Sequence, residues 1–213
     1  MHILSPGYRN TNVAALYAAA AGGGLDGSES DGTNKYDASE ALFGGWSTYE
    51  STLTTNAGNS PAGTTTAASL LETTNNDRHI AWAPSKDVIA GTAYTYSIYV
   101  KPITRRYVQV LVYGQSSPKI YAYFDLQTGT VTDTGSVSPD GSTAISSTNC
   151  EVGANGFYKC TLRGVLDGTS SVTNLQVSLS DVATYGANVT AGAPYFTGST
   201  SNGAYLWRPK MTT

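Results

Sequence analysis

Tyr94-Thr95-Tyr96-Ser97-Ile98-Tyr99-Val100-Lys101 is the stretch that decides the fold. In an extended chain Tyr94, Tyr96, Ile98 and Val100 fall on one side, while Thr95, Ser97 and Lys101 fall on the other with Tyr99 at the polar edge. A period of two with one apolar side marks a strand that lays one face on a core.

Working outward, Tyr107 to Tyr113 (YVQVLVY) sets Val108, Val110 and Val112 against Tyr107, Gln109, Leu111 and Tyr113. Both sides are partly apolar, which predicts a central strand. Ile120 to Leu126 alternates Ile120, Ala122, Phe124 and Leu126 against Tyr121, Tyr123 and Asp125, and Gln127-Thr128-Gly129 then turns the chain into Thr130-Val131-Thr132. That pattern is a hairpin. A second hairpin joins Ala144–Val152 to Phe157–Arg163 through Asn155-Gly156, a pair suited to left-handed backbone. Val172 to Leu179, with Leu175, Val177 and Leu179 inward, and Ala204 to Lys210 follow, and Thr64–Glu72 and His79–Ala83 add two upstream strands. Eight to ten such strands and no helix after residue 40 predict an all-β fold, an antiparallel jelly-roll β-sandwich over residues 41–213.

Residues 1–40 read differently, as a short N-terminal arm with little regular structure. Pro6-Gly7 leads to one Ala-rich helical stretch, Val13 to Ala21, which Asn12 caps and Gly22-Gly23-Gly24 ends before a polar run from Asp26 to Asp37. The apolar stretch is too short to span a bilayer, which needs roughly 18 to 20 residues, so no membrane insertion is expected. It resembles a signal-peptide core only weakly, because alanine is feebly apolar.

The chain has 213 residues, 12 Lys+Arg against 15 Asp+Glu, a formal net charge of −3 and only 13% charged residues. Nucleic-acid binding is not expected without a dense basic face. With 15 tyrosines and 40% hydrophobic residues a core can be built, and the abundant Gly, Ser and Thr belong to turns and strands on a neutral, hydroxyl-rich surface.

Catalytic chemistry is sparse, so the expectation is no enzyme, no catalytic residue, no metal and no cofactor. The two histidines, His2 and His79, cannot assemble a metal cluster, and His79 reads as structural beside Trp82. Asp125, Asp167 and Asp181 sit at strand ends, where aspartate usually bonds its own backbone; glycosidase carboxylates or calcium ligands are the sharper readings of the same residues. The aromatic set is the better clue. Tyr99, Tyr121 and Tyr123 fall on the polar side of their strands and with Gln109 would form a platform for a sugar ring, which offers apolar C–H faces and hydroxyls. The plainer reading makes them sheet-face or subunit-interface tyrosines. Cys150 and Cys160 flank the Asn155-Gly156 turn: a three-residue loop sets them opposite each other within reach of a disulfide, whereas a two-residue loop puts them on opposite faces. Free thiols remain the default.

Five segments in order carry a resemblance. They are Phe43–Trp46 with Asn59–Ala67, then Ile89–Lys101, Ala122–Val131, Gly153–Leu162 and Gly203–Trp207. Together they resemble the jelly-roll domains of tailed-bacteriophage head spikes, head fibres and tail fibres. Phe157 stands where that pattern commonly has Trp, and Arg208–Thr213 replaces its usual ending. The resemblance implies a carbohydrate-binding-like sandwich on the outer surface of a virion: a capsid decoration or head-fibre protein, held to the major capsid protein through the N-terminal arm and assembled as a homotrimer. The alternative is a receptor-binding tail-fibre tip that recognises host-surface glycan. The resemblance transfers no ligand residue. A separate physical argument for the trimer is that a strand such as Tyr107–Tyr113, apolar on both sides, needs a cover for the side turned away from the core.

Overall fold

Strands apolar on one side hide that side by stacking two sheets face to face, about 10 Å apart. A computed structural model of the chain describes residues 34–36, 42–115, 118–138, 141–166, 170–186, 189–190 and 192–213. In chain order the strands are β1 Ser47–Tyr49, β2 Ser51–Gly58, β3 Ala67–Glu72, β4 Asn76–Asp77, β5 Ile80–Trp82, β6 Lys86–Asp87, β7 Ala93–Pro102, β8 Tyr107–Gly114 and β9 Lys119–Asp125. After them come β10 Thr130–Val137, β11 Ala144–Val152, β12 Tyr158–Val165, β13 Val172–Ser180, β14 Val189–Thr190, β15 Ala193–Pro194, β16 Phe196–Thr197 and β17 Gly203–Thr212. The helical stretch expected at residues 13–21, and the arm up to residue 33, lie outside the described residues.

A seven-stranded sheet has the order β1-β5-β13-β8-β9-β10, with β6 also on β13, and a six-stranded sheet has the order β11-β12-β7-β17-β3-β2. All pairings in both are antiparallel. The fold is the all-β antiparallel sandwich that the alternation predicts. Between the sheets lie Val108, Val110 and Val112 of β8, Ile120, Ala122 and Phe124 of β9, and Leu175, Val177 and Leu179 of β13. Tyr94, Tyr96, Ile98 and Val100 of β7 face them, with Leu162, Leu206, Met211 and Leu70 from the other strands of the six-stranded layer. β8 is central, between β13 and β9.

The turns follow their chemistry. Asn155 and Gly156 have φ of 56° and 77°, the left-handed region that Asn and Gly tolerate best. Ala154–Gly156 forms a three-residue turn closed by Gly153 N–H to Phe157 O at 2.7 Å. Cys150 therefore stands directly opposite Cys160. Both are free thiols, Cys160 buried and Cys150 half-buried.

Each sheet's outer face is handled differently. Over the six-stranded sheet, the β2–β3 loop folds back so that Thr66 Oγ1 accepts from Trp207 Nε1 at 3.1 Å, and Asn155 Nδ2 donates to the Ser60 and Pro61 carbonyls. Trp207, Phe157 and Ala67 make a small second core beneath it. Over the seven-stranded sheet, the β14–β15 segment lies across β8 and β9. A Cβ on Gly192 would meet Lys119 Cδ at 3.1 Å, Tyr113 Oη at 3.3 Å and Leu111 Cδ2 at 3.4 Å, so glycine permits this close approach. The apolar outer side of β8, which motivated a subunit contact, thus gets part of its cover from the chain itself, and Leu111 is fully buried. Residues 34–36 are docked as well: Lys35 N–H bonds Met211 O, Met211 N–H bonds Asn34 Oδ1, and Tyr36 sits in the main core.

Candidate functional site

The four residues of the expected tyrosine platform do not share one surface. Tyr99 belongs to β7 in the six-stranded sheet, where its ring meets Trp207 edge-on at 5.4 Å. Gln109, Tyr121 and Tyr123 belong to the seven-stranded sheet, and two of them, Gln109 and Tyr123, are 0% exposed. Gln109 Nε2 donates to the Gly192 carbonyl at 2.8 Å and to Tyr123 Oη at 3.2 Å. These are the anchors of the β14–β15 cover and present no surface to a sugar. Burial raises the Tyr123 hydroxyl well above the usual phenol range, so it stays protonated. Tyr121 remains half-buried, stacked on Tyr185 at 4.5 Å.

A different part of the same sheet is open. Beside the β14–β15 cover, β8 and β13 continue into β5 and β1, and their outward side chains line a groove of about 390 Å³, inside the range of about 300 to 1,000 Å³ usual for ligand sites. Its lining is Tyr49, Arg78, Ile80, Trp82, Tyr113, Asn174 and Gln176. Register explains the grouping. Trp82 is opposite Gln176, Tyr49 opposite Ile80, and Asn174 opposite Tyr113. Inward-facing Ala81, Leu175, Val177 and Val112 fix the strands, so these neighbours must point outward. Ile80 and Gln176 are buried and form the floor, whereas Tyr49, Trp82, Tyr113 and Asn174 reach the surface around it.

The lining is held in place. Tyr49 Oη donates to Asp77 Oδ2 at 2.8 Å, and Asp77 Oδ1 accepts from the Arg78 N–H at 2.8 Å. Those bonds, the backbone one first, lower the Asp77 carboxyl below its usual range, and the same carboxylate raises the Tyr49 hydroxyl. The Arg78 guanidinium lies 4.9 Å from the centre of the Tyr49 ring, close enough for a cation–π contact. Lys119 Nζ is 5.2 Å from the centre of the Tyr113 ring. Burial raises the Tyr113 hydroxyl, with Arg78 opposing the shift. Gln176 Nε2 is used by Ser178 Oγ at 3.0 Å. Asn174 Oδ1 and Arg78 Nε are shielded from solvent and make no hydrogen bond with any other described residue.

Of the remaining candidates, His79 and Asp125 are tied into the fold. His79 is buried between the carbonyls of Glu50 and Phe196, with its ring 4.8 Å from Phe196. Asp125 forms a two-pronged ion pair with Arg106 at 3.0 and 2.6 Å and accepts from the Gln127 N–H in the β9–β10 turn. Asp181 is exposed, and Asp167 lies outside the described residues. Among the described residues no group of three or more His, Cys, Asp or Glu is placed to hold a metal ion.

No family model and no curated protein sequence matches the chain. Six chains of solved structures are similar to it, among them the following two. One is the xylanase 10B of Clostridium thermocellum, comprising CBM22-1 and GH10 modules in complex with xylohexaose, at 14% identity and a TM-score of 0.43 over 79% of this chain and 26% of that one. The other is the enzymatically active domain of tailspike protein 4 of bacteriophage CBA120, at 12% identity and a TM-score of 0.43 over 84% of this chain and 21% of that one. The chain spans about a quarter or less of either neighbour's length, and likeness at this level carries no argument about function.

Proposed function

We propose that the chain is a carbohydrate-binding β-sandwich of a bacteriophage particle, and that the groove lined by Tyr49, Trp82, Tyr113, Asn174 and Gln176 is where it holds glycan. The observation that carries this is the lining itself: three aromatic rings and two amides around one open groove. Rings supply flat apolar faces for sugar C–H groups, and amides supply both a donor and an acceptor for hydroxyls. Among the described residues the lining itself holds no carboxylate and Asp77 behind it is bonded to Tyr49, so the groove is proposed to bind and not to cleave, because glycoside hydrolysis ordinarily uses a pair of free carboxyl groups.

The phage setting rests on the five ordered segments of the sequence. In it the sandwich is the exposed part of a capsid decoration or head-fibre protein, attached to the major capsid protein through residues 1–40 and assembled as a homotrimer. An open glycan groove equally suits a receptor-binding tail tip. Labelling purified particles separates these placements, and a tail-tip signal would discard the capsid reading.

The groove is tested by a glycan array followed by calorimetry on the best hit. Trp82→Ala is expected to weaken binding by about 1–3 kcal/mol, as loss of one stacked ring does in other aromatic platforms. Tyr99→Ala, on the far sheet, is expected to leave it unchanged. An array without hits, or equal losses for both variants, would remove the proposal.

A further inference from the structure

We infer that the glycan taken by this groove is acidic, with a sugar carboxylate seated on Arg78. The inference rests on the proposal that the groove binds glycan and names the chemical class it selects. Among the described lining residues Arg78 alone carries a charge; it interacts with the Tyr49 hydroxyl, and part of its donor capacity is left over. Its Nε is shielded from solvent without a hydrogen bond, and the nearest carboxylate oxygen, Asp77 Oδ1, is 3.7 Å away, beyond hydrogen-bond reach. Asp77 is occupied elsewhere, by the Arg78 backbone N–H on one oxygen and the Tyr49 hydroxyl on the other.

On the same lining Asn174 Oδ1 is a shielded acceptor with no donor. Buried polar atoms in native proteins are almost always satisfied, so an unmet donor and an unmet acceptor on two residues of one groove point to what a ligand supplies once those side chains turn toward it. The donor belongs to a guanidinium, whose planar fork suits a carboxylate. The acceptor calls for a hydroxyl. A carboxylate and hydroxyls on one ring, with apolar C–H faces for Trp82 and Tyr113, describe a uronic-acid residue. Lys119, whose Nζ lies 5.2 Å from the ring centre of the lining residue Tyr113, adds a second positive charge for a polymer that carries one carboxylate per repeat.

The test uses the full chain and defined polymers in calorimetry at low and moderate salt. Polygalacturonate, alginate and hyaluronate are compared with methyl-esterified polygalacturonate, neutral polysaccharides and dextran sulfate. At least one polyuronate is expected to bind tenfold or more tighter than its ester or neutral counterpart, with affinity falling as salt rises. Arg78→Gln is expected to erase that preference, and Asn174→Asp, nearly isosteric but negative, to weaken the acid more than the neutral form. The wild-type comparison of acid with ester needs no variant, and circular dichroism checks that both variants are folded. Equal or tighter binding of esterified or neutral polymer overturns the inference and leaves the glycan groove standing. Tighter binding of dextran sulfate than of every polyuronate overturns the carboxylate assignment. Absence of binding to any glycan removes both the groove's proposed function and this inference.

Discussion

Acidification should expose how much the β9–β10 turn depends on Asp125. Its carboxyl is held at about 2, against an ordinary 3.8, chiefly by hydrogen bonds from Arg106 and further by the Gln127 N–H, with burial opposing them. In the unfolded chain the same carboxyl takes up a proton near 3.8. Between these values the unfolded state binds more protons, so stability falls as pH falls. The contribution is complete above about pH 5 and gone below about pH 2. A carboxyl displaced from 3.8 to about 2 corresponds to about 2.4 kcal/mol at full strength. Arg106 is 47% exposed at its side chain, so solvent screens the pair and about 1 kcal/mol is the expected share. Urea unfolding followed by far-ultraviolet circular dichroism from pH 7 to pH 2, on the wild type and Asp125→Asn, reads it directly. The variant should be less stable by about 1 kcal/mol at pH 7, with the gap closing between pH 5 and pH 2. A gap that stays constant across that range would refute the reasoning, since it would mean that the charge of Asp125 contributes nothing.

Arg105→Ala strands the fully buried Glu72 carboxylate, which Arg105 binds at 2.6 and 2.8 Å, and should cost about 3–5 kcal/mol in the same unfolding assay; a loss under 1 kcal/mol would contradict the burial of that pair. Oxidised glutathione should convert Cys150 and Cys160 to a cross-strand disulfide, releasing two molecules of reduced glutathione and adding about 2–3 kcal/mol by closing a short loop. Cys150, drawn down by its bond from Cys160 while burial pushes Cys160 up, is the attacking thiolate, and thiol titration with a melting curve on wild type and Cys150→Ser decides it. Tyr36→Ala should cost about 3–5 kcal/mol, and a chain beginning at residue 42 should melt several degrees below one beginning at residue 34; equal melting temperatures would show that Tyr36 and its neighbours add nothing to the core.

The layered fold was legible because β7, β8, β9 and β13 are long enough for alternation to declare itself, and because Asn155-Gly156 dictates its own turn. The register at Cys150 and Cys160 turns on loop length, which the sequence leaves open between two and three residues and the Ala154–Gly156 turn settles. The groove was not legible. β1 and β5 span three residues each, too short to show a period, and they meet β13 and β8 only through strand order that no local pattern encodes. Polar Asn174 and Gln176 alternating with Leu175 and Val177 are a readable sign of an outward face on β13, whereas Trp82 stands out in the sequence only as a neighbour of His79. The tyrosine platform failed as a single surface for a physical reason. Alternation tells which side of a strand a residue takes, but it does not tell that Tyr99 lies in the opposite sheet, or that a later segment folds over Gln109 and Tyr123.

The closed face and the open face also divide the three tryptophans by environment, which gives the molecule built-in optical labels. Trp207, 1% exposed beneath the β2–β3 loop, should emit at short wavelength and shift only when the sandwich comes apart. Trp82, at the groove, should emit further to the red and respond to whatever enters it. Trp46, edge-on to Phe43 at 4.9 Å, reports the chain's entry to the sandwich. Emission from one unmodified sample can therefore separate occupancy of the groove from loss of the fold.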